Sequence, residues 1–147
     1  MRITMAMMFL LLSTARAIAP NVKILPVVEA QRVDIYEKLM KAILEVESAG
    51  DTLAYNPVEQ AYGPFQIRPI RLTDYNRRTG KSYLMRDCYT MKVSREVFRY
   101  YAIRIGSDYE TIARKWNGSG VMTNDYWHKV KTVLSQQEKK LSIRVPS

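Results

Sequence analysis

Glu47 is the side chain in this sequence best placed to do chemistry, because its spacing sets a carboxylate on an apolar stripe. Val33, Tyr36, Met40, Ile43 and Leu44 recur at helical spacing and predict a helix from Val33 to Ala49. Glu47 lies four residues after Ile43 and seven after Met40, so it shares that face in the last turn, while Glu45 points elsewhere. Burial penalises the charged form of a carboxylate, and the negative end of the helix pushes the same way. A raised pKa is what a general acid near neutral pH requires. The residues by themselves allow a second reading with equal weight. A buried Glu paired with one of the 23 lysines and arginines would show the same pattern.

The elements around Glu47 follow from the punctuation of the chain. Gly50 is placed to stop the first helix. Asp51 to Pro69 holds Pro57, Gly63, Pro64 and Pro69 and no steady period, which predicts a long irregular loop or a short strand pair. A loop of that length is usually functional or disordered, and Tyr55, Tyr62 and Phe65 favour function. Helices are expected over Ile70–Arg78, Ser94–Ile105, a segment opened by a Ser107-to-Glu110 capping box and closed at Asn117-Gly118, and Asn124–Leu134. Pro20 to Pro26 reads as extended. Ser135 to Ser147 reads as a polar, basic tail.

Four motifs in this order resemble the soluble lytic transglycosylase (SLT) domain of the lysozyme-like superfamily. They are Glu47-Ser48; Ala54-Tyr55-Asn56-Pro57; Gly63-Pro64-Phe65-Gln66-Ile67; and Trp116-Asn117-Gly118-Ser119-Gly120, followed by Tyr126 and Lys129-Val130. The resemblance covers roughly Ile35 to Leu134. It implies a mainly α (α+β lysozyme-like) fold, a single helical domain with a long active-site loop or short hairpin. It also implies an activity on peptidoglycan glycan strands, with no cofactor and no metal. Glu47 would protonate the oxygen between N-acetylmuramic acid and N-acetylglucosamine. The substrate's acetamido carbonyl would support the cationic centre, and the 6-hydroxyl would close a 1,6-anhydro ring. Ser48, Asn56, Tyr62, Gly63, Gln66, Trp116, Asn117 and Tyr126 are the expected substrate-binding residues, with Tyr62 and Trp116 as sugar platforms. Trp116 stands at the motif's tyrosine, and an indole cannot supply that hydroxyl. A hydrolytic lysozyme on the same fold would want a second carboxylate, for which Asp51 and Glu59 are the loop candidates. A wall-binding module without activity is the alternative from another class.

Composition and charge set the outer bounds. At 147 residues, 47% hydrophobic and 25% charged, the chain is sized for one domain. The net charge of +9 suits an anionic partner, and nucleic acid, an acidic membrane and a cell-wall polymer all qualify. Arg2, the apolar run Ile3–Leu12 and the small residues Ala15, Ala17 and Ala19 predict a secretory signal peptide over 1–17, with cleavage as late as 19. The remaining divisions are a lead-in over 18–32, the catalytic domain over 33–134 and the tail over 135–147. Export implies a periplasmic or secreted protein without a stable membrane anchor and argues against nucleic acid. A cell-envelope or secretion machine is a further candidate partner. Cys88 and His128 are the sole residues of their types, so no disulfide framework, metal cluster or Ser-His-Asp triad is expected.

Overall fold

Helix α1 runs from Ile24 to Ser48 and, from Ile35 onward, turns one face inward. Tyr36, Leu39, Met40 and Ile43 on that face are buried. Residues 24–144 are described in this computed structural model, so the predicted signal peptide lies outside the described residues. The lead-in expected over 18–32 is helical from Ile24. Pro26 falls in the first turn, where its missing N–H has no partner to lose, and no glycine or proline interrupts the helix after it. Ala49 and Gly50 both turn left-handed, at φ 51° and 84°, and end the helix where Gly50 predicted.

The irregular stretch contains the short strand pair. β1 (Tyr55–Asn56) lies antiparallel to β2 (Ala61–Tyr62), with Tyr55 opposite Tyr62 and Asn56 opposite Ala61. Successive residues of a strand face opposite ways, so buried Ala61 puts Tyr55 and Tyr62 together on the other face. Their rings meet at 4.8 Å, and Tyr89 adds a third ring 5.6 Å from Tyr62.

Three helices follow close to their predicted bounds. These are α2 (Pro69–Thr79), α3 (Met91–Ile105) and α4 (Tyr109–Asn117), with a 3-10 turn at Met85–Tyr89 that no sequence pattern announced. The cap of α4 is Asp108, whose carboxylate accepts from the Thr111 N–H at 2.8 Å, and not the expected Ser107. Glu110 pairs instead with Arg114 one turn on. Helix α5 spans Met122–Arg144, so most of the predicted tail is helical. Ser135 to Arg144 holds no glycine or proline, and its Gln, Glu and Lys residues are good helix formers.

α5 packs on both α1 and α4, and α3 touches α1, α2 and α4. The loop after the hairpin reaches into their shared core. Phe65 and Ile67 are 1% and 0% exposed. Phe65 stacks on Phe98 at 5.2 Å, and Phe98 meets the edge of Trp116 at 4.8 Å. Burying a phenylalanine contributes about 1.5–3 kcal/mol, so Phe65 pins the loop to the helices beneath it. Among the described residues no helix is long and apolar enough to cross a membrane.

Candidate active site

Glu47 sits in the last turn of α1, partly buried, and its Oε1 accepts a 2.7 Å hydrogen bond from the hydroxyl of Tyr126 on α5. Desolvation is the strongest influence and raises its pKa from 4.5 to about 7. The Tyr126 hydrogen bond opposes that rise, the negative charge of Glu59 adds to it, and Arg68 and Arg71 oppose it. A carboxyl poised near neutrality can give up a proton and later take one back. Tyr126 is itself pushed well above the usual tyrosine range, first by burial and then by the carboxylate beside it, so it stays a donor. Trp116 cannot supply a hydroxyl to Glu47; Tyr126 supplies one.

Glu47 is positioned by the loop that begins where its helix ends. The Ser48 hydroxyl reaches the Pro64 carbonyl at 3.0 Å and the Leu44 carbonyl at 3.3 Å, tying the helix end to the loop. Gly63 has φ 72° and donates to the Ala54 carbonyl at 2.8 Å. A Cβ on Gly63 would lie 1.9 Å from the Cys88 carbonyl oxygen, so only glycine fits between the loop and the 3-10 turn. Gln66, itself left-handed at φ 48°, gives its side-chain N–H to the Gly63 carbonyl at 2.9 Å and the Ala54 carbonyl at 3.4 Å. Asn56 accepts from the N–H groups of Val58 and Glu59 and so shapes the hairpin turn. Ser48, Asn56, Gly63 and Gln66 thus hold the loop together. The side chains of Ser48, Asn56 and Gln66 all make hydrogen bonds to backbone groups of the loop or of the helix end.

Trp116 departs furthest from its expected place. It is 3% exposed and belongs to the core, because Ile112, Ala113 and Trp116 form the buried face of α4. Its indole N–H donates to the Phe65 carbonyl at 3.3 Å, and the Arg71 guanidinium stacks on its ring at 4.1 Å. It cannot serve as an exposed sugar platform, and acts as a strut between α4, the loop and α2. Asn117, also expected in the cleft, ends α4 and offers its backbone carbonyl to Arg68 at 2.6 Å. Tyr62 keeps a partly exposed ring beside the exposed Tyr55 and remains suited to stacking on a sugar.

Two arginines join the site that the sequence showed only as part of a basic surface. Arg68 precedes α2 and Arg71 lies one turn on, so both project from one side of its start. Arg71 donates to the Trp116 carbonyl at 2.8 Å, and Arg68 pairs with Glu59 at 3.4 Å. The i, i+3 spacing was readable, but nothing local said which way the pair faces. Of the two candidate second carboxylates, Glu59 acts electrostatically on Glu47, while Asp51 accepts from the Leu53 N–H in an exposed turn.

The predicted residues therefore separate into a hydrogen-bonded pair, Glu47 and Tyr126, a partly exposed ring, Tyr62, and a set that fixes the loop and helix ends around them. No protein-family model matches the chain, and no curated protein or solved structure matches it either.

Proposed function

We propose that this protein is a peptidoglycan lytic transglycosylase of lysozyme-like fold, acting outside the cytoplasm after export. The observation that carries the reading is the Glu47 carboxyl, raised to about 7 by burial at a helix end and bonded to Tyr126. The four ordered motifs support it from the sequence side. In this mechanism the neutral Glu47 gives its proton to the glycosidic oxygen as the bond from that oxygen to the muramic C1 breaks. The substrate's acetamido oxygen shares the positive charge at C1. Glu47, now a carboxylate held by Tyr126 and favoured by Arg68 and Arg71, takes the proton of the 6-hydroxyl as that oxygen bonds to C1. The proton count closes, and no water is consumed. Tyr62 and Tyr55 would offer ring faces to the pyranoses.

Glu59 favours one second reading. Its charge reaches Glu47, so it could activate a water and turn the same site into a hydrolase. Digestion of purified sacculi with the protein and with Glu47→Gln, followed by mass spectrometry of released muropeptides, separates the two. Products one water lighter than hydrolytic ones, absent with the variant, support the transglycosylase. Reducing-end products assign hydrolysis, and no release with binding retained would sink both readings in favour of an inactive wall-binding module.

A further inference from the structure

Arg68 and Arg71 occupy the end of α4. Arg71 donates to the carbonyls of Lys115 and Trp116 at 3.4 and 2.8 Å, and Arg68 donates to that of Asn117 at 2.6 Å. These are last-turn carbonyls that the helix itself leaves without partners, and its negative end favours a cation there. Arg68 is held at its base as well. Ile67 before it is fully buried, and Pro69 after it opens α2. Its guanidinium is therefore a fixed point, from which Nε reaches across to the hairpin turn and meets Glu59 Oε2 at 3.4 Å. An ion pair between two partly exposed side chains adds little stability. Its direction matters more than its strength. Glu59 is a loop carboxylate whose charge acts on Glu47, and it is tied at both ends. Its N–H donates to Asn56 Oδ1 at 3.3 Å, and its carboxylate pairs with Arg68.

Cleavage of the glycan ends with one of two nucleophiles at C1. One is the sugar's 6-hydroxyl, which Glu47 alone can deprotonate; the other is a water, which wants a second carboxylate facing it. A carboxylate committed to a fixed guanidinium is not free to turn to that water. We propose that Arg68 selects between the two: by holding Glu59 against the end of α4, it denies the site a base for water and leaves the 6-hydroxyl to close the ring. Arg68 is thus a positioning residue, which acts through Glu59 without touching the reacting atoms. With Arg68 removed, the freed Glu59 takes a proton from a water whose oxygen bonds to C1, while the leaving oxygen keeps the proton given by Glu47. One water is consumed; Glu59 then loses its proton to solvent and Glu47 regains one. The inference rests on the transglycosylase reading and names the residue that fixes its outcome.

The test digests sacculi with the full-length wild type, Arg68→Gln, Arg68→Lys and the double variant Arg68→Gln/Glu59→Gln. Mass spectrometry then counts the new chain ends as anhydro or one water heavier. The wild type should give anhydro ends. In Arg68→Gln the hydrated share should rise about tenfold, short of the 10²–10⁴-fold of a well-placed base because nothing positions the water. The double variant should return to the wild-type share, which a loop merely loosened by the loss of Arg68 would not do. The share is a ratio of products, so partial unfolding of a variant does not blur it. Should Arg68→Gln release too little to count, Arg68→Lys decides. An ammonium keeps the charge but lacks the fork that holds both Glu59 and Asn117, so its hydrated share should also exceed that of the wild type. Anhydro ends alone from the single variants would overturn the inference and leave the transglycosylase reading standing. So would a hydrated share that persists in the double variant. Hydrated ends from the wild type itself would sink that reading, and this inference with it.

Discussion

Glu47 and Tyr126 are coupled through one short hydrogen bond, and the consequences of that bond can be measured. Glu47→Gln keeps the shape of the side chain and removes the proton, so muropeptide release should fall by roughly 10²–10⁴-fold, the usual share of a general acid. The pH dependence has a definite sign. The folded chain holds this proton up to about 7, against 4.5 for an ordinary glutamate, so the folded state is favoured while the carboxyl is neutral. That contribution is fully present below about 4.5 and is lost as pH rises through about 7. In thermal melts the wild type should therefore lose stability relative to Glu47→Gln across this window; parallel curves would place the titrating group elsewhere. Cleavage should fall over the same alkaline limb, as the acid form disappears. Tyr126→Phe removes the bond that lowers the Glu47 pKa, so it should move that limb to higher pH while reducing the rate.

At the scale of elements, Gly63 in the loop after α1 and Gly80 at the end of α2 play different parts. Gly63 is left-handed and backed by the Cys88 carbonyl, whereas Gly80, at the same φ of 72°, has open space where a Cβ would go. Gly80→Ala should cost only about 1–2 kcal/mol, the strain of a left-handed non-glycine residue. Gly63→Ala adds a collision with backbone that cannot turn aside, and should cost on the order of 3 kcal/mol or more. Comparing the two denaturation midpoints isolates the packing contribution, and equal losses would show that the 3-10 turn gives way freely. Because Ser48 and Gln66 hold the same loop, the damage should reach catalysis as well as stability. Trp116 works at this scale too. The same side chain that looked like a sugar platform in the sequence carries the loop, through Phe65, and the start of α2, through Arg71.

The whole molecule carries a formal net charge of +9, and the arginines of α2 concentrate part of it near the site. An anionic wall should be attracted over distances that salt screens, with a Debye length of about 8 Å at physiological ionic strength. Retention of the Glu47→Gln protein on sacculi should accordingly weaken as salt is added, while its affinity for a neutral chito-oligosaccharide should hardly change. Salt-independent pull-down would mean that the basic surface is a solvated face without a role in capture.

Much of the helical layout was legible in the residues because its causes are local. A period of about 3.6 placed Tyr36, Met40 and Ile43 on one face of α1, and Glu47 with them. Glycines stand at the helix ends, at Gly50, Gly80, Gly106 and Gly118, because a positive φ meets no Cβ clash there. The early start of α1 and the long run of α5 were less legible, since a helix without breakers can continue past the end of its apolar pattern. What only tertiary structure decided are meetings between residues far apart along the chain. Tyr126 finds Glu47 across 79 positions, and Trp116 finds Phe65 across 51. Arg68 and Arg71 turn toward the carboxylate because the buried side chains of α2, Leu72 and Tyr75, set the rotation of that helix on α3. Local spacing determines which side chains share a face; the packing of one face on another decides which of them meet. In this protein that packing made Tyr126 the partner of the acid and Trp116 part of the core.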